Sequence, residues 1–417
     1  MICLFEDPHY RKLLPLVYTR PVYDLRCGIL TLREKIRGAY PNARVALLCR
    51  PYLANVVRQQ NPAAQVNEVH SERCLFLNGR ILADASLSKT IPLNGEGAVF
   101  FSGDTLVAVR VPTERAGALT HDFSEISLAE HFSDLKRIEV DVTLMEFPWQ
   151  LVNYNGAEIR SDFKSLTSAR SQKEKRKRKK ATIHKGVHLL NKKEIRIGSG
   201  ATIMPGVVLD AENGPIYIGD DTKIFSNAVI EGPAFIGDKT LIKVGAKIYE
   251  NTSIGEVCKV GGEVEACIIH SYSNKQHDGF LGHSYLGMWC NLGADTNNSD
   301  LKNNYSTVKV VVNGVEIDSG SQFVGLTMGD HSKSGINTMF NTGTVVGVSS
   351  NVFGAGFPPK FIPSFSWGGS DGLEQYDIEK ALNVARRVMA RRKVGMSTAE
   401  EQMLRYVCDV TARERRE

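Results

Sequence analysis

Residues 216–260 read IYIGDDTKIFSNAVIEGPAFIGDKTLIKVGAKIYENTSIGEVCKV, and their aliphatic side chains decide the fold. Ile218, Ile224, Ile230, Ile236, Ile242, Ile248, Ile254 and Val260 follow one another at a step of six. Upstream, Ile197, Ile203 and Leu209 keep that step, and nine residues separate Leu209 from Ile218. Downstream, Phe280, Leu286 and Leu292 resume it, as do Val324, Ile336 and Val348, with Asp330 and Thr342 at the intervening steps. Neither an amphipathic helix nor an alternating strand produces this period. Six residues suit a short strand and a turn, and three such units close a triangular coil. Each aliphatic side chain then stacks on its counterpart one coil away, with strands about 4.8 Å apart. One coil cannot bury its own apolar face, so the run of coils is what makes the unit stable. Glycine directly after the aliphatic position, as in Ile197-Gly198, Ile218-Gly219, Ile236-Gly237 and Ile254-Gly255, suits a corner that needs a permissive backbone. The spacing predicts a parallel β-helix over residues 184–368.

Two polar interruptions break the period. One runs from Ile269 to Gly279 and holds Lys275, Gln276, His277 and Asp278. The other runs from Gly293 to Gln322, with Asn297, Asn298, Asn303, Asn304 and Tyr305, then a hairpin pattern around Asn313-Gly314. Loops leaving a solenoid emerge on its surface, so the segment between them, Gly282-His283-Ser284-Tyr285-Leu286-Gly287, marks a candidate site. After Phe357-Pro358-Pro359, residues 369–417 read as helices: Ile378, Ala381, Leu382, Ala385, Val388 and Met389 form an apolar stripe, and Ser397 with Glu400 forms a capping box.

At 417 residues the chain exceeds one ordinary core, and two domains are expected. Residues 1–165 alternate strand and helix patterns in the manner of a Rossmann-like α/β sheet, which binds ligands beyond the carboxyl ends of its strands. There, Arg20 and Arg26 flank Asp24 in Thr19–Gly28; the two guanidinium groups either grip a phosphate or pair with Asp24. Residues 166–183 carry a basic run, with eight cations against Glu174 between Arg170 and Lys180. Without it the chain is slightly acidic, so a solvated linker is expected rather than a nucleic-acid surface. The eight cysteines show no C-x-x-C spacing and read as buried thiols of a reducing cytoplasm. No apolar run approaches the roughly 20 residues needed to span a bilayer. Glu6, Asp7, Arg11 and Lys12 interrupt the first thirty residues, which argues against a secretory leader.

Taken with Phe147-Pro148-Trp149, Tyr154-Asn155-Gly156, Gly329–Lys333 and Gly335–Thr338, these segments make the chain resemble the sugar-phosphate nucleotidyltransferases that carry a hexapeptide acyltransferase domain. The likeness is nearest to the Bacteroidetes-type variant of bifunctional UDP-N-acetylglucosamine diphosphorylase/glucosamine-1-phosphate N-acetyltransferase. The resemblance implies a left-handed β-helix, a homotrimer, acetyl-CoA as acyl donor and an amino-sugar 1-phosphate as acceptor. It implies a general-base histidine in an H-x-x-Y-L-G setting, for which His283 is the match, with Glu263 as its partner. It further implies Lys243 on the sugar phosphate, and Tyr285, Asn304 and Tyr305 on the sugar; by residue type, Lys309 and Lys333, with His331 beside them, are candidates to meet the coenzyme A phosphates. The first domain of this family also uses a nucleoside triphosphate with Mg2+. Here its glycine-rich G-x-G-T-R loop is replaced by Glu6–Lys12, and its metal-binding Asn-Gly-Asp by Asn78-Gly79-Arg80, leaving Asp84 as a substitute ligand. Three readings follow: a bifunctional enzyme, an acyltransferase with a degenerate sugar-nucleotide-binding first domain, or a non-catalytic β-helix scaffold.

Overall fold

The structure, a computed structural model, describes residues 1–69, 74–111, 132–170 and 179–415. Met1–Leu25, Leu30–Phe147 and Ser397–Tyr406 form one compact unit; Arg26–Ile29, Pro148–Met396 and Val407–Glu417 form the other. The helix Pro148–Arg170, whose start sequence reading grouped with the α/β region, clusters with the second unit. Most of the basic run, residues 171–178, lies outside the described residues.

The first unit is built on a seven-stranded sheet in the order Gln65–Val66, Val45–Leu47, Ile2–Phe5, Cys74–Asn78, Thr105–Val111, Ala98–Ser102, Lys136–Glu139. The first four strands in that order are parallel, and Thr105–Val111 runs antiparallel to both its neighbours. Cys3, Phe5, Ala46, Phe76, Val99 and Val109 form a core on it. A helix spans Leu32–Ala39, and Thr31 and Glu34 close a reciprocal capping box at its start.

The second unit is a parallel β-helix with three parallel faces. Its strands return to the same face every third element, so Ile197, Ile218, Ile236, Ile254, Ile269, Leu286, Met328, Val346 and Ile362 stack in register on one face. Ile203, Ile224, Ile242 and Val260 stack on the second, and Leu209, Ile230, Ile248 and Val264 on the third. All fourteen from Ile203 to Met328 that the core cluster shares with these columns are closed to solvent or nearly so, which is the burial the six-residue step demands. Corners use left-handed backbone at Asp221, Asn227 and Asn251, residue types that tolerate it.

Past the second interruption the expected inward positions shift. Ile336 is 71% exposed, and the inward positions, taken face by face, are Met328, Ser334, Phe340, Val346 and Val352. Phe280 likewise yields its inward place to Leu281. Met328 stands 42 residues, seven steps of six, after its stacking partner Leu286, so the phase of Leu286 continues across the second interruption and a series counted from Val324 falls outside it. The Asn313-Gly314 hairpin forms as expected, pairing Lys309–Val312 with Val315–Asp318 around two residues of positive φ. The coil begins at Thr182 and ends in a hairpin of Ser366–Gly369 and Gly372–Gln375, before the helices Ile378–Ala390 and Thr398–Val410. Among the described residues, no helix is long and apolar enough to cross a membrane.

Candidate functional site

His283 follows the strand Phe280–Gly282 at a corner of the coil, with φ of 44°. Its Nδ1 lies 2.8 Å from Asp300 Oδ2, and its ring stacks on Phe323 with centroids 4.8 Å apart. The Asn298 side chain clamps the preceding residue, accepting from Gly282 N at 2.9 Å and donating to Gly282 O at 3.0 Å. His283 N donates to Glu265 O, and Gly325 N donates to His283 O. Backbone and ring are therefore both held. With a carboxylate at Nδ1, the neutral imidazole keeps its proton there and presents Nε2 as the basic atom. Burial raises the Glu265 carboxyl; the His283 charge opposes the rise and that of Asp300 adds to it.

Asp300 and Asn298 had no signal in the sequence beyond their polar loop. Glu263, the expected partner, lies elsewhere: its carboxylate accepts from Lys247 Nζ at 2.6 Å. Register explains this, because Glu265 sits opposite Gly282 while Glu263 sits opposite Phe280. Tyr285 is buried, and its hydroxyl accepts from Arg26 N at 2.9 Å and donates to Arg26 O at 3.2 Å. The Arg26 guanidinium binds Glu256 at 2.9 Å and donates to Ile29 O. Tyr285 and Arg26 are thus internal struts rather than ligand-facing groups. Arg20 is also buried; Asp24 takes an ion pair from Arg33 at 2.9 Å, and the Arg20 charge also acts on its carboxyl. Burial pushes the Asp24 carboxyl up to about 6, opposed by Arg33 and Arg20.

The remaining expected contacts are scattered over the coil surface. Lys243 sits 5.4 Å over the Phe225 ring. Asn304 accepts from Ser306 N, and Tyr305 is 65% exposed on the same loop. Lys309 pairs with Glu316 across the hairpin at 3.0 Å. Lys333 donates to His331 O at 2.6 Å, and the His331 ring lies parallel to Trp289 at 6.2 Å. Burial pushes the Lys333 ammonium down to about 8.

A second histidine fits the expected motif spacing more closely than His283. His277, Phe280, Leu281 and Gly282 reproduce H-x-x-aromatic-Leu-Gly without a missing residue. His277 is exposed, and its carbonyl accepts from Lys275 Nζ at 2.7 Å. Gly262, the residue before Glu263, packs so closely that a Cβ there would lie 2.7 Å from His277 O. Glu263 therefore neighbours the His277 segment, not His283.

In the first unit, the carboxyl ends of the central strands are filled by internal ion pairs. Arg80 donates to both Asp7 oxygens, at 2.8 and 2.5 Å, and Asn78 donates to Asp7 at 2.8 Å. Glu6 accepts from Arg50 Nε at 3.1 Å and from Val22 N at 2.9 Å. A Mg2+ ion needs carboxylate oxygens that are not already neutralised. Asp7 is committed to Arg80, and Asp84 is exposed and caps Ser86. Among the described residues no group of three metal-binding side chains occurs. The residues present do not fit the metal.

Residues 2–171 match the family described as "Sugar nucleotidyl transferase". Over 140 residues the chain is 30% identical to "Bifunctional protein GlmU" of Methanocaldococcus jannaschii, covering 34% of this chain and 29% of that protein. Over 142 residues it is 32% identical to "Bifunctional sugar-1-phosphate nucleotidylyltransferase/acetyltransferase" of Sulfurisphaera tokodaii, covering 34% and 35%. The chain thus spans about a third of the length of these relatives. Among solved structures, the "UDP-N-acetylglucosamine acyltransferase from Campylobacter jejuni" is 14% identical, with 54% of this chain and 93% of that chain covered at a TM-score of 0.29. The fold rests on the strand register, and in sequence the chain is similar to bifunctional sugar-1-phosphate nucleotidyltransferase–acetyltransferases.

Proposed function

We propose that the β-helix unit is a transferase that moves an acetyl group from acetyl-CoA to the amine of an amino-sugar 1-phosphate such as glucosamine-1-phosphate. The observation that carries this reading is a histidine held by a carboxylate at an outer corner of a hexapeptide coil, His283 on Asp300. In this reading Nε2 takes the proton that the sugar ammonium must lose. The amine nitrogen then bonds to the thioester carbon and releases its second proton to solvent, and the carbon–sulfur bond breaks. The thiolate departs and recovers a proton from the imidazolium. Asp300 steadies the charged ring, as a carboxylate does in other histidine-based sites. General-base help of this kind is worth roughly 10²–10⁴-fold.

A second reading of the base is favoured by the spacing of His277 and by the nearness of Glu263. The test measures free thiol released from acetyl-CoA in the presence of glucosamine-1-phosphate. Wild type releases thiol only with the sugar, and His283→Ala lowers the rate at least ~10²-fold. Loss in His277→Ala with His283→Ala unaffected transfers the role to His277. No sugar-dependent thiol from wild type ends the acyl-transfer reading.

For the first unit we propose binding of a sugar nucleotide without nucleotidyl transfer, on the strength of the Asp7–Arg80 pair that stands where a metal would be held. Pyrophosphate release from UTP and N-acetylglucosamine-1-phosphate with Mg2+ overturns this and restores the bifunctional, Bacteroidetes-type reading. The scaffold reading is ended by sugar-dependent thiol release. We further propose a homotrimer in the cytoplasm, as the resemblance implies. Sedimentation at micromolar protein checks the assembly, and a monomer there removes it.

A further inference from the structure

One outward column of the coil carries a run of polar residues in parallel register. Lys259 pairs with Asn274, Asn274 with Asn291, and Asn291 with Lys333, each one coil further along. At about 4.8 Å per coil, the two lysine backbones stand roughly 14 Å apart. Over this column lies the end of the helix Ile378–Ala390, and between them is a cavity of about 290 Å³. Lys259, Lys333, Arg391 and Arg392 line it, together with Tyr272 and Trp289. Arg392 donates to Asn274 Oδ1 at 2.7 Å, and Asn274 donates to Asn291 Oδ1 at 3.3 Å, so the floor is already hydrogen-bonded.

The cavity has cations on both walls and no carboxylate among its lining residues. Among the described residues, none of the four cations has an acidic partner within ion-pair distance. Their charges act on one another: burial lowers the Lys259 ammonium, and Arg392 and Arg391 lower it further. Burial lowers Arg392 too, with Arg391 adding to the effect. Two arginines at a helix carboxyl end have an ordinary use, since cations there complement the helix dipole by about 0.3–1 kcal/mol. That use accounts for Arg391 and Arg392 but not for the two lysines facing them from the coil. Four convergent cations without counter-charge match a ligand that supplies several negative charges in a small volume.

The aromatic wall narrows the choice. Trp289 stacks on Tyr272 with centroids 4.2 Å apart at 20°, and His331 lies parallel on its other side at 6.2 Å and 13°. Both ring faces are occupied, so the indole is a fixed wall and not a platform for a base. The volume stands at the lower end of small-molecule pockets, which run from about 300 Å³ upward. It accommodates a phosphate pair with part of what it esterifies, not a whole coenzyme.

We propose that this cavity is a diphosphate site, holding two linked phosphoryl groups between the Lys259–Lys333 column and Arg391–Arg392. Three sources share that chemistry: free inorganic pyrophosphate, a nucleoside diphosphate and the diphosphate bridge of coenzyme A. The site follows from the charges and the cavity alone, so it holds or fails independently of acyl transfer.

Calorimetric titration of the full chain with inorganic pyrophosphate, UDP and coenzyme A, each separately, tests it. At least one of the three is expected to bind at pH 7.5, with Arg391→Ala and Lys333→Met each weakening it about tenfold or more. Arg391 is exposed, so its substitution leaves the fold in place if Lys333→Met does not. Because the buried Lys333 ammonium titrates at about 8, an anion that holds it charged draws a proton from the buffer on binding at pH 8. Lys333→Met removes that uptake. Other titrating neighbours are Lys259, Tyr272, Cys290 and His331, and they remain in the variant. Binding of pyrophosphate alone, of UDP alone, or of coenzyme A alone identifies the source. Binding of none, or binding that neither variant weakens, overturns the site. Thiol release from acetyl-CoA without variant-sensitive diphosphate binding separates this failure from failure of the acyltransferase reading.

Discussion

The coils from Ile203 to Val260 and those from Val264 to Val352 share one architecture but differ inside. In the first stretch every place in the three stacked columns is Ile, Leu or Val, and each is closed to water. In the second, Lys275 sits inward opposite Val260, Asn298 sits inward opposite Phe340, and Ser334 takes a column position. All three are buried. A buried polar group costs stability unless it is hydrogen-bonded, and each of these is bonded to a particular place. Lys275 holds the carbonyl of His277, Asn298 holds both backbone groups of Gly282 before His283, and Ser334 Oγ accepts from Gly293 N. The uniform stretch supplies stability; the polar stretch anchors, from within, the corners on which the candidate histidines stand. Interior polarity in this solenoid therefore marks where the surface must be held still.

The largest expected effect breaks the uniform half. Ile242 stacks between Ile224 and Val260 with no exposed surface. Ile242→Ala removes three carbons from a packed column, and the expected cost is about 2–5 kcal/mol. Urea unfolding followed by circular dichroism measures it. A solenoid is coupled chiefly through nearest neighbours, so the transition is expected to broaden as well as shift. A cost under about 1 kcal/mol shows that the column relaxes around the gap, and the contrast between the two halves is then weaker than their composition implies.

How legible each half was follows from the same contrast. In Ile197–Val260 the interior tolerates only aliphatic side chains, so the periodicity is written in plain residues and the fold can be read from it. Past Val264 the interior includes Lys275, Asn298 and Ser334, which no apolar pattern finds, and Ile336 points outward because a count begun at Val324 is out of step with Leu286 and Met328. His283 and Lys333 were visible because their residue types suit the chemistry. Asp300 was not, because only closure of a coil around a long loop brings it to His283. Arg391 and Arg392 were hidden for a related reason: they come to Lys333 from a helix end 58 and 59 positions along the chain. The first unit teaches the reverse. Arg80 in place of an acid was legible as a departure, while its partner Asp7 became evident only when two neighbouring parallel strands placed their ends side by side.

The smaller effect has the opposite sign and sharpens the comparison from the polar half. Burial pushes the Lys275 ammonium down from 10.5 to about 8, with Asp278 and Asp295 opposing the fall. Between those pH values the unfolded chain binds the proton that the folded chain has lost, so folding stability rises with pH through that window. Below about 8 the folded protein carries the whole cost of the buried charge, about 3 kcal/mol. Lys275→Met keeps the volume and removes the charge, but it also removes the bond to His277 O, worth about 1.5–3 kcal/mol when the donor is charged. The net expectation is a modest gain of about 1 kcal/mol at pH 7 that shrinks toward pH 10, measured by paired denaturation curves of wild type and variant. The same variant reads the site. If the lysine is retained to hold the His277 segment in place, the variant is more stable yet slower in thiol release. If His283 is the base, held as it is by Asn298 and Asp300, the rate is unchanged while the stability still rises. A variant less stable than wild type at pH 7 means that the bond outweighs the burial, and Lys275 is then a structural member of the column like the isoleucines before it.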